Sequence, residues 1–106
     1  MENLNEIKSS QPVNTRPTYV SKVSMKTDPI RLASSIQLSL KAGNNVEIMA
    51  MGKEAIYIAM KAICITQGFS EQSGLNLNWK PSYKTVIGNQ DGQPKSVVSW
   101  LCWTED

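Results

Sequence analysis

VEIMAMGKEAIYIAMKAICITQGF, residues Val46 to Phe69, changes its hydrophobic period once, and that change decides the fold. Val46, Ile48 and Ala50 alternate with Glu47, Met49 and Met51, the period of a strand with one buried face. Gly52 turns the chain. From Lys53 the spacing becomes helical, with Ile56, Ala59, Met60 and Ile63 on one side, Tyr57, Cys64 and Ile65 widening the stripe, and Gly68 predicted to close it. A strand entering a helix through one glycine leaves free backbone N–H groups, the positive end of a helix dipole and Lys53 at one edge of a sheet.

Upstream, Thr18 to Met25 alternates as a first strand, with Tyr19 and Val23 on one face and Val20 less well placed. Asp28 followed by Pro29 is a helix start, because the carboxylate can accept an N–H of the first turn and proline needs no donor there. A helix is predicted from Pro29 to about Ala42, with Leu32, Ala33, Ile36 and Leu40 as its core stripe and Gly43 as its stop. Met1 to Pro17 is rich in Ser, Asn and Gln and reads as a flexible N-terminal arm, leaving residues 18–106 as the folded domain.

Downstream, Ser70 to Gly74 is a polar connection. Leu75 to Val86 reads as a third strand in which Leu77 and Trp79 alternate with Asn76, Asn78 and Lys80. Pro81 cannot donate to a ladder, so the strand is either bulged there or at a sheet edge. The run from Gly88 to Pro94 is dense in turn residues and holds Asp91-Gly92, a favoured hairpin tip. Lys95 to Trp103 returns as a fourth strand.

The predicted order is β-α-β-α-β-β, an α/β two-layer sandwich: a four-stranded mixed sheet with two helices on one face. The other face is then uncovered in a monomer, with Glu47, Met49 and Met51 looking that way. Which of Trp79, Trp100 and Trp103 join them depends on register.

At 106 residues and 41% hydrophobic, the chain suits a single domain. It has no run of the roughly 18 to 20 apolar residues that spans a membrane, and its polar N-terminus lacks the apolar region of a secretory signal. Cys64 and Cys102 follow no spacing motif. They read as reduced thiols of a cytoplasmic protein, both small core residues. Net charge is +2, but Tyr19 to Trp103 holds nine Lys or Arg against five Asp or Glu, so the domain is more basic than the whole.

There is no histidine, no CxxC pair, no carboxylate cluster at metal spacing and no phosphate-binding glycine loop. No metal or cofactor is therefore expected, and no paired groups suggest an enzyme. Lys26 before helix one, Arg31 in its first turn, Lys53 at the start of helix two and Lys95 beside the hairpin remain. Ammonium groups beside helix N-termini hold phosphates well; ordinary solvated lysines would look the same. The tryptophans can likewise be core or interface residues, or base-stacking platforms.

VSMKTDP at the first strand and loop, AMGKEAIYIAMKAICITQGF through helix two and SGLNLNWKP entering the third strand resemble the stage V sporulation protein S family. These are small bacterial proteins of the Alba-like superfamily, and the resemblance covers about Val20 to Trp103. It implies a dimeric β-α-β-α-β-β domain with a nucleic-acid-binding role, contacts being made by the loop after the first strand and by the hairpin arm. Lys26 matches the loop lysine, and Gly88 to Lys95 match the arm.

The expectation is a non-enzymatic, cytoplasmic nucleic-acid-binding protein of low sequence specificity. It would form a homodimer or larger homo-oligomer and grip DNA or RNA phosphates through Lys26, Arg31, Lys53 and Lys95. The alternative is a protein-interaction or assembly module that uses the open sheet face and the arm.

Overall fold

In a computed structural model, the described residues are 15–88 and 91–105. Most of the predicted arm, residues 1–14, and two residues of the hairpin turn, 89–90, lie outside them. Six elements follow in order: β1 (Thr18–Val23), α1 (Pro29–Lys41), β2 (Asn45–Met51), α2 (Lys53–Ser73), β3 (Asn76–Ile87) and β4 (Pro94–Glu105). The strands form one mixed sheet in the order β1-β2-β4-β3. β1 runs parallel to β2, while β4 is antiparallel to both β2 and β3.

Helix α1 forms where its local chemistry predicts. Asp28 accepts from the Ile30 N–H at 3.1 Å, and Leu32, Ala33, Ile36 and Leu40 are buried. Helix α2 differs from the expectation at its end, for it runs through Gly68 to Ser73. Thr66 and Ser70 are buried, so packing on that face continues past the glycine. The left-handed residue that stops the helix is Gly74, at φ 75°, and the Leu75 N–H closes the turn on the Ser70 carbonyl.

Both helices pack on one sheet face, where Val46, Ile48, Ala50, Trp100 and Cys102 meet Leu32, Ile36, Leu40 and Ile63. Small residues bring the helices together: Ala33, Ala59 and Ala62 are fully buried. Thr66 donates from Oγ1 to the Ala62 carbonyl at 2.9 Å, with the Ala33 carbonyl of α1 at 3.3 Å. Cys102 is buried as expected, but Cys64 is exposed. Burial follows Ala55, Ala59, Ala62, Ile63 and Thr66, which turns Tyr57 and Cys64 outward.

Register settles the tryptophans. Trp100 pairs with Ile48 and lies in the core, only 3% exposed. Trp79 pairs with Cys102 on the same face but stands toward the sheet edge, where it is exposed. Trp103 pairs with Asn78 on the opposite face. Pro81 sits on the edge strand, and pairing runs unbroken through Lys80, Pro81 and Ser82. The residues read as the end of the arm are held at the sheet: Arg16 donates to the Thr104 carbonyl at 2.7 Å, and the Asn45 N–H donates to the Pro17 carbonyl.

Candidate functional site

Strand direction determines which loops meet. The carboxyl ends of β1, β2 and β3 and the start of β4 share one end of the sheet, as the pairs Val23–Ala50, Met51–Val97 and Ile87–Pro94 require. The β1–α1 loop, the β2–α2 junction and the β3–β4 hairpin all emerge there. Lys26, Arg31, Lys53 and Lys95 are therefore brought to one end of the sheet, together with the positive ends of both helix dipoles. β2 stops at Met51, and the hairpin continues beyond it through Lys95–Val86 and Pro94–Ile87.

The four cations differ in what already holds them. Lys26 lies in a tight turn in which the Thr27 N–H donates to the Ser24 carbonyl, and the Lys26 N–H donates to Ser24 Oγ. Its side chain is exposed and carries no ion pair among the described residues. Lys53 is exposed and equally unpaired among them. Arg31 faces Asp28 at 3.9 Å, and Lys95 pairs with Asp91 at 3.2 Å. The Gln93 N–H and the Lys95 ammonium both bind the Asp91 carboxyl and hold it below its ordinary range. Gly88 makes room for this arrangement, since a Cβ there would lie 2.9 Å from Asp91 Oδ1 and 3.2 Å from Lys95 Cε.

The helix starts differ in the same way. Asp28 fills the N-terminus of α1, whereas Gly52 offers α2 no side-chain cap, so its first-turn N–H groups stay available.

Two features of the uncovered face were not singled out from sequence. One is a cleft of about 410 Å³ lined by Lys22, Met49, Met51, Val86, Ile87 and Val97. Period-2 parity on β1 would have pointed Lys22 at this face; its place beside Met49 needed the parallel register. The other is a polar cluster across three strands. Ser99 donates to Glu47 Oε2 at 2.6 Å, and Lys84 Nζ reaches the same oxygen at 3.0 Å. Burial disfavours ionisation of Glu47, but the Ser99 and Lys84 hydrogen bonds and the lysine charge outweigh it and hold the carboxyl below its ordinary value of 4.5.

A four-stranded sheet in this order, with two helices on one face and a hairpin projecting past it, is an Alba-like fold. The chain is similar in structure to Alba from Thermoplasma volcanium, with a TM-score of 0.56 at 16% identity, covering 79% of this chain and 98% of that one. Residues 19–104 match the family model of stage V sporulation protein S. The chain belongs to that family, with nearly the extent the sequence motifs implied. Among the described residues no helix is long and apolar enough to cross a membrane.

Proposed function

We propose that this protein is a non-enzymatic nucleic-acid-binding protein of low sequence specificity. It acts in the cytoplasm as a homodimer or larger homo-oligomer and grips phosphates with Lys26, Arg31, Lys53 and Lys95. The observation that carries this reading is the convergence of those four cations, an uncapped helix start and a projecting hairpin at one end of the sheet. The Alba-like superfamily resemblance supports it. Binding through phosphates releases counterions, so four contacts give a logarithmic salt slope of about −3.6 for each protomer engaged on duplex DNA. With one protomer engaged, affinity falls roughly a hundredfold over a fourfold rise in salt, and more steeply when a second protomer also engages.

The experiment is fluorescence anisotropy of labelled duplex DNA, single-stranded DNA and RNA at low and moderate salt. Salt-sensitive binding that disappears in the Lys26→Glu, Lys53→Glu double variant is expected. No binding of any of the three by folded protein would overturn the reading. A protein-assembly role for the open sheet face is the competing reading, favoured by the exposure of Met51 and Val20. Binding of that kind depends on apolar burial and changes little with salt.

A further inference from the structure

The open-face cleft lies beside the cationic end rather than within it. Its wall is apolar, with Met49 and Met51 from β2, Val97 from β4 and Val86 from the hairpin, all on the open face by register. Lys22 stands on the β1 side, opposite its register partner Met49, and carries no ion pair among the described residues. Met51 is 49% exposed, and Met49 and Val86 are half-buried. Apolar side chains left in water around a free ammonium suit a ligand with an anionic group and an apolar face close together. A cleft of about 410 Å³ is large enough for a flat ring system. It excludes a duplex, whose bases are stacked and paired inside the double helix.

Resting on the nucleic-acid reading above, the geometry points to this cleft as the receptor for one unpaired nucleobase of a single strand, whose flanking phosphates lie on Lys22 and the cationic end of the sheet. The base is held between aliphatic and thioether side chains, which contact its ring faces without reading its edge. Recognition is therefore tolerant of sequence but selective for strandedness. A duplex could fill the cleft only by flipping a base out, at the cost of unpairing and unstacking it.

The test titrates a single strand carrying 2-aminopurine, and the matching duplex, against the wild-type protein, a Met49→Gln, Met51→Gln double variant and Lys22→Gln. Thermal melts monitor folding; Lys22 and Met51 are exposed and Met49 is half-buried. The wild type is expected to bind the single strand about tenfold more tightly than the duplex and to change the 2-aminopurine emission. The double variant loses about that factor on the single strand and stays within about twofold on the duplex. Lys22→Gln lowers the single-strand salt slope by about 0.7.

Equal single-strand and duplex affinity in the wild type, or an unchanged single-strand affinity in the double variant, overturns the nucleobase site while leaving the phosphate grip standing. No binding of either strand by folded protein removes both. Saturable binding of dodecyl phosphate that needs Met49 and Met51, beside single-strand binding that does not, also overturns it and assigns the cleft to an amphiphile.

Discussion

The hydroxyl of Ser99 on β4 donates a 2.6 Å hydrogen bond to the carboxylate of Glu47 on β2, across a sheet face that no helix covers. Lys84 of β3 reaches the same oxygen, so one carboxylate ties three strands together. The folded Glu47 pKa lies below its ordinary value. Its contribution to stability is thus complete above the unfolded value and is lost as pH falls through the folded one. Thermal melts of wild type and Glu47→Gln from neutral pH to about pH 3 check this. The wild type should be the more stable at neutral pH, and the gap should close in acid. A gap that stays constant with pH would count against it.

Gly52 joins β2 to α2 at φ 91° and ψ 152°, a region essentially closed to other residues. No neighbouring atom lies within 4 Å of where its Cβ would be, so any cost comes from the backbone alone. Gly52→Ala should destabilise the fold by about 1–3 kcal/mol, read as a lower urea midpoint at unchanged slope.

The two thiols should separate kinetically. Cys64 is exposed on α2, whereas Cys102 is buried and its pKa is pushed up to about 12 by desolvation. A disulfide reagent should titrate one thiol quickly in native protein and the second only on unfolding. Cys64→Ser should remove the fast phase. Two fast thiols in folded protein would contradict the burial of Cys102.

Asp91 occupies the Lys95 ammonium in the hairpin. Asp91→Asn keeps an oxygen for the Gln93 N–H and frees the cation, so nucleic-acid affinity should rise about two- to fivefold. The salt slope on duplex DNA should change little, because Lys95 already counts among the phosphate contacts and is only relieved of its competitor. Weaker binding in anisotropy would show that the pairing orders the hairpin for its ligand instead of masking it.

Ser70 Oγ is buried in α2 with no hydrogen-bond partner among the described residues. Ser70→Ala removes a desolvated hydroxyl and should stabilise the protein by about 1 kcal/mol in chemical denaturation. A loss of stability would reveal a partner for that hydroxyl.

Local chemistry was legible wherever a short stretch decides its own structure. The Asp28-Pro29 start and the stripe from Leu32 to Leu40 need only helical periodicity and one cap. The alternation from Val46 to Met51 needs only the strand period. The α2 end was misread because a glycine in sequence looks the same whether it stops a helix or is carried through one. Packing of Thr66 and Ser70 carries Gly68 through, and Gly74 becomes the stop. Cys64 was misplaced for a related reason: several apolar stripes fit a helix this rich in alanine and isoleucine, and only contact with α1 and the sheet selects among them.

Periodicity, capping and turn residues were thus enough for the six elements and their order, because each rests on neighbours within about one helical turn or one strand. Strand order and register belong to the tertiary structure. They place Trp100 in the core and Trp103 on the other face, set Lys22 beside Met49, and bring Lys26, Lys53 and the hairpin to one end of the sheet. The physical reason is that a one-residue slip exchanges the two faces of a strand. Only the joint burial of β2 and β4 beneath both helices selects the register that holds.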